Sequence, residues 1–119
     1  MSVISSTAFG RTGGRRAPEE RVVAFHRTEL SIILAVYGRM VAAAEWRDYS
    51  IDFLPERAVF SVFRRATEYP LYRIEKLPRL AARQGMYVLF GRDGRVLKRG
   101  SDLKQVMRFF ESKKLKLVE

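Results

Sequence analysis

Five short runs with β character crowd the stretch from Tyr49 to Arg99, and the connections between them are brief. Tyr49, Ile51 and Phe53 alternate with Ser50 and Asp52, the pattern of a half-buried strand. Pro55-Glu56-Arg57 makes a turn, Ala58–Arg64 (AVFSVFR) a second strand, and Glu68-Tyr69-Pro70 closes it. Leu71–Lys76 (LYRIEK) is a third, with Tyr72 and Ile74 on one face and Arg73 and Glu75 on the other. Pro78–Gly85 is a connection with room for one helical turn, ended by Gly85. Met86–Phe90 (MYVLF) is apolar on both faces, as a strand covered on both sides reads. Asp93-Gly94 supplies the positive φ of a tight hairpin, and Arg95–Arg99 returns from it. Connections this short join antiparallel neighbours, because a parallel crossover takes a dozen residues or more.

Helices flank these runs. Arg21–His26 (RVVAFH) reads as a short strand, and Thr28 then caps a helix with Glu29 near its positive end. Leu30, Ile33, Leu34, Tyr37, Val41 and Ala44 draw one apolar face, which predicts a helix ending near Trp46. Gly38 inside it costs about 1 kcal/mol against Ala, which suggests a close contact there. At the other end Ser101 or Asp102 caps a second helix whose stripe is Leu103, Val106, Met107 and Phe110. The terminal KKLKLVE is left as a short edge strand or a frayed end. The expected fold class is α+β: a four- to five-stranded antiparallel sheet with an N-terminal and a C-terminal amphipathic helix. Residues 1–20, rich in Ser, Thr, Gly and Arg, have too few apolar groups to offset the entropy of ordering. They read as a disordered tail ahead of one domain spanning residues 21–118.

Charge is the strongest functional signal. The chain carries a formal net charge of +10, and Arg57–Arg99 holds eleven Lys/Arg against three acids. A surface so biased attracts polyanions. Arg64, Arg65, Arg73, Lys76, Arg79, Arg83, Lys98 and Arg99 are the candidate phosphate contacts, the guanidinium fork being suited to pairs of phosphate oxygens. One sheet face, with Phe60, Val62, Tyr72, Ile74, Met86, Val88 and Phe90, is expected under the helices. Val59, Phe63, Tyr87 and Leu89 are expected on the other, where Phe63 and Tyr87 are candidates to stack on bases or all four form an interface for a second copy or a partner.

The chemistry that is absent narrows the rest. With no cysteine there is no disulfide, thiolate metal site or Cys nucleophile. His26 is the single histidine and has no acid cluster at ligand spacing, so no metal and no cofactor is expected. Asp48 and Asp52 are four apart, but Asp52 falls on a strand beyond the helix, and Glu45 and Asp48 at the helix end read as solvated acids. Gly91-Arg92-Asp93-Gly94 has the form of a KH loop but sits in a strand–strand turn. The strand at Met86–Phe90 lacks the basic residue and the element order of an RNA-recognition motif. No apolar run is long enough to span a membrane, and the N-terminus lacks a secretory pattern.

EWRDY (Glu45–Tyr49), FSVFRR (Phe60–Arg65), LYRIEKLPRLAARQGMY (Leu71–Tyr87) and RVLKRGSDLKQV (Arg95–Val106) together resemble an uncharacterised family of small alphaproteobacterial proteins, a domain-of-unknown-function family. The resemblance implies a bacterial cytoplasmic protein and brings no activity or site with it. The leading functional expectation is a non-catalytic, nucleic-acid-associated binding module of low sequence specificity. The alternative is a structural or regulatory protein-interaction module, with an acidic protein or a second copy of the chain as partner.

Overall fold

The computed structural model describes residues 21–65 and 69–118, with side chains through Glu111. The expected tail, residues 1–20, lies outside the described residues. Helix α1 (Arg27–Ala42) precedes strands β1 (Asp48–Phe53), β2 (Ala58–Phe63), β3 (Tyr72–Lys76), β4 (Tyr87–Phe90) and β5 (Val96–Gly100), and α2 (Leu103–Val118) follows. A 3₁₀ turn at Pro78–Leu80 interrupts the β3–β4 connection. The strands form one five-stranded sheet in sequential order, each pair antiparallel. The fold is therefore α+β, as its short connections dictate.

Both helices lie on one face. Phe60 pairs with Ile74 and Ile74 with Leu89 across the sheet. That row joins Ile33, Val36 and Met40 of α1, Leu103, Val106, Met107 and Phe110 of α2, and Trp46 in a single core. The Trp46, Tyr72 and Phe109 rings gather around Phe110, with centroids 4.9–5.2 Å away and near-perpendicular planes. Edge-to-face contacts of this kind favour aromatic pairs beyond the area they bury.

The register corrects the expected faces. Tyr87 and Leu89 point into the core, and Val88 and Phe90 point away from it, beside Val59, Ser61 and Phe63. A one-residue shift of parity inverts a whole strand, and MYVLF, apolar at every position, carries no alternation to set it. α1 is likewise rotated. Glu29, Ile33, Val36 and Met40 are buried, whereas Leu34 and Val41 are 37% and 39% exposed. Arg21–His26 forms no strand. Val23 N–H donates to Leu54 O at 2.8 Å, Phe25 enters the core, and His26 rather than Thr28 is the N-cap. The carboxylate of Glu29 accepts the His26 N–H at 2.7 Å, satisfying one of the donors a helix start leaves open. KKLKLVE continues α2 to Val118 instead of forming a strand.

Two stops hold special backbone. α1 ends at Ala42, short of Trp46, in a Schellman motif. Glu45 N–H donates to Met40 O and Ala44 N–H to Val41 O, both at 2.9 Å, with Ala44 at φ 64°. Glycine normally occupies that position, because a Cβ there costs about 1–2 kcal/mol. Gly85, at φ 95°, does need to be glycine, since a Cβ would lie 2.5 Å from the carbonyl carbon of Gly100. Gly38 shows no such need, having nothing within 4 Å of its Cβ position. The β4–β5 turn is a three-residue loop. Gly94 N–H donates to Gly91 O at 3.0 Å, Gly91 N–H to Arg95 O at 2.9 Å, and only Gly94 has positive φ.

Urea melts of two variants should move in opposite directions. Ala44→Gly is expected to stabilise the fold by about 1 kcal/mol by relieving the left-handed alanine. Gly85→Ala should destabilise it by more than the ~1–2 kcal/mol of left-handed strain alone, because backbone stands in the way of the added carbon.

Candidate nucleic-acid interface

The eight basic residues singled out in the sequence do not share one face. Lys76 is withdrawn altogether. Strand parity places it with Tyr72 and Ile74 on the helix side, where its ammonium donates to Glu29 Oε1 and to Ala24 O, both at 2.9 Å. The Tyr87 hydroxyl donates to the second oxygen of the same carboxylate. Lys76, Glu29 and Tyr87 are all buried, so neither Lys76 nor Tyr87 is open to a partner. Burial pushes the Glu29 carboxyl up. The hydrogen bonds from Tyr87, His26 and Lys76, with the charge of Lys76, outweigh that and hold it below its ordinary value. Burial, and then the Glu29 carboxylate, push the Tyr87 phenol well above its ordinary value.

Arg73 is half-withdrawn. It lies on the face away from the helices, with its guanidinium 4.9 Å from the Phe90 ring and its Nε 3.3 Å from Glu75. Arg57 approaches the same carboxylate at 3.6 Å. With Asp48, Asp52 and Glu75 beside Arg73 and Arg99, this face is not a basic surface. Its centre is apolar. Val59 and Val88 are buried, and Phe63 and Phe90 half-buried, outside the core under the helices.

The positive charge runs instead along one edge. β5 carries Lys98 and Arg99, both exposed, and no acid. The hairpin leading into it adds exposed Arg92 and Arg95 around Asp93. At its far end Arg99 donates to Gln84 Oε1 and Gly85 packs against Gly100, which brings the β3–β4 connection and its exposed Arg79 and Arg83 alongside. The opposite edge strand, β1, carries Asp48 and Asp52 and no base. Four inter-strand spacings, about 19 Å, separate the two edges. Arg92 and Arg95 are not among the eight expected phosphate contacts; their place on the hairpin that leads into an edge strand is what adds them. Charged edges also discourage strand-to-strand aggregation, so the strip serves the fold whatever it binds.

Arg64 and Arg65, exposed at the end of β2, stand at the hairpin end of the sheet. A cleft of about 660 Å³ opens there between the end of α1, the start of β3 and the β4–β5 hairpin. Trp46, Tyr72 and Phe109 form its aromatic side, with Arg64 and Arg92 as its cations and Glu45 and Asp93 as its acids. His26, the N-cap residue of α1, lies at the opposite end of that helix from the cleft. Among the described residues no three His, Asp or Glu side chains group as a metal site. No described helix is long and apolar enough to cross a membrane.

Two amphipathic helices on one face of a sequentially ordered five-stranded antiparallel sheet define a small α+β domain. The chain belongs to the family described as protein of unknown function (DUF2794), whose model matches residues 23–107, from the approach to α1 through the first turns of α2. Neither the curated proteins nor the solved structures gave a match.

The buried clasp predicts how stability depends on pH and on its own residues. Glu29 titrates lower in the fold than its ordinary 4.5, so its contribution is present above that pH and fades as pH falls through the lowered value. Tyr87 titrates higher than its ordinary 10, so its contribution is present below pH 10 and fades as pH rises beyond it. Lys76→Met alone should cost about 3–5 kcal/mol by stranding the Glu29 charge. The triple replacement Glu29→Leu, Lys76→Met, Tyr87→Phe should recover most of that loss and flatten both pH limbs, as measured by urea melts between pH 3 and 11.

Proposed function

We propose that this chain is a small, basic, non-catalytic module that associates with nucleic acid in a bacterial cytoplasm, with low sequence specificity. The observation that carries the reading is the strip of exposed Lys/Arg along β5 and its flanking loops, set against an acidic opposite edge. Such a dipolar sheet orients a polyanion along one edge and repels it from the other. The strip offers phosphate contacts and no set of side chains arranged to read base pairs, so it positions without specifying.

The test is fluorescence anisotropy of labelled oligonucleotides across a salt series. Four to five phosphate contacts on a single strand give a log–log slope of about −3, or about a 60-fold loss between 50 and 200 mM salt. Lys98→Ala with Arg99→Ala should weaken binding to every sequence alike and flatten the slope by about 1.5. Absence of binding at 50 mM salt rejects the reading. A second reading, a protein-interaction module, draws on half-buried Phe63 and Phe90, which flank the buried Val59 and Val88 on the face away from the helices. A wild type that scatters light as a dimer, reduced to monomer by Phe63→Glu, would favour it.

A further inference from the structure

We infer that the cleft at the hairpin end of the sheet holds one unstacked nucleotide, its base against Tyr72 and Phe109 and its phosphate at Arg64 and Arg92. The module would therefore prefer single strands to duplexes. The inference rests on the nucleic-acid reading above and names what the cleft beside the basic edge adds to it.

The cleft's volume, about 660 Å³, lies in the range of small-molecule sites and exceeds what one base fills. Its aromatic side is held by ring-to-ring packing. Tyr72 stands edge-to-face on Phe110 at 4.9 Å and on Phe109 at 6.2 Å, while Trp46 closes the cluster from below, edge-on to Phe110 at 4.9 Å. Trp46 and Phe110 are buried, whereas Tyr72 and Phe109 are only half-buried and keep ring surface toward the cleft. A preformed, ordered ring surface is what a base needs for stacking at little entropic cost. Arg64 and Arg92 are exposed at the rim, and neither makes an ion pair among the described residues. Glu45 lines the cleft as a carboxylate able to accept from an exocyclic amino or ring N–H group of a base, whereas the Asp93 carboxylate is engaged by Arg95, whose N–H it accepts at 3.0 Å.

This combination of ring surface, two guanidinium groups and the Glu45 carboxylate fits a nucleotide better than a simple anion, which has no use for the rings. The groove between α1 and α2, about 400 Å³ with Arg39, Lys104 and Arg108 along it, has cations but no aromatic wall, and fits no base. A base inside a duplex is stacked and paired and cannot enter the cleft. Arg92 belongs both to the cleft and to the hairpin that begins the basic strip, so a strand along β5 can deliver one nucleotide into the cleft.

Trp46 is the chain's one tryptophan, so its emission reports on the cleft directly. The full chain is titrated with an oligothymidylate, with a duplex of equal length and with inorganic phosphate, following Trp46 emission and anisotropy together. Expected are a change in Trp46 emission with the single strand, none with phosphate, and affinity at least about tenfold tighter for the single strand than for the duplex. Arg64→Ala with Arg92→Ala, both surface changes, should lower the single-strand affinity more than the duplex affinity and bring the two near parity. Lys98→Ala with Arg99→Ala should lower both and keep their ratio. Equal affinities, or single-strand binding with unaltered Trp46 emission, overturn the cleft inference and leave the edge reading standing. A change with phosphate alone makes the cleft a simple anion site and also overturns it. No binding to either polymer removes both.

Discussion

A buried ion pair ties the two layers of this domain together. Lys76, at the end of β3, and Tyr87, at the start of β4, converge on Glu29 in the first turn of α1. Taking two charges out of water costs several kcal/mol per ion, which only near-complete hydrogen bonding offsets. That condition is met here, since Glu29 also accepts the His26 N–H and Lys76 also donates to Ala24 O. The geometry leaves α1 little freedom to slide or turn over the sheet. One carboxylate caps the helix, receives the lysine and receives the phenol. The rotation of α1 follows from it, with Ile33, Val36 and Met40 brought beneath the helix on the same stripe as Glu29.

That clasp removes one cation from the surface, and the Arg73–Phe90–Glu75 arrangement restrains another. The remaining charge sorts by strand order. β1 and β5 lie at opposite edges because the strands follow one another in sequence, and their acids and bases are thereby held apart. A basic composition has become an electrically polarised sheet. The same meander brings the β4–β5 hairpin beside the start of β3 and the end of α1, where Arg64 and Arg92 meet the aromatic cluster. The polar strip and the aromatic cleft thus share a corner of the molecule.

Much of the fold was legible in the sequence, because local rules agree with the tertiary structure wherever alternation and turn chemistry are strong. The strand around Ile51, the Asp93-Gly94 turn and the Asp102 cap, whose carboxylate accepts the Lys104 N–H at 3.0 Å, all belong to that class, although Tyr49 and Phe53 of that edge strand stay exposed. The misreadings have specific causes. MYVLF has no polar member to set its parity. Ala44 stops a helix in a conformation for which the sequence offers no glycine. The core stripe of α1 includes a glutamate, which a count of apolar residues passes over. Lys76 stands in period-two relation to Tyr72 and Ile74, which puts it on the core face of β3, where its charge serves Glu29 and not a phosphate. The edge strip was not legible, because which strands lie at the edges is a property of the whole sheet.

The claim on which the account turns is that a polyanion meets the β5 edge and not the sheet face. Backbone amide NMR of the uniformly labelled protein, titrated with a short single-stranded oligonucleotide at low salt, tests this most directly. Shifts concentrated at residues 92–100 and 83–85, and at Arg64 and Tyr72 around the cleft, with Asp48–Asp52 and Ser61 unmoved, are the expected result. Shifts centred on Val59, Ser61 and Val88, or an unchanged spectrum, would contradict it.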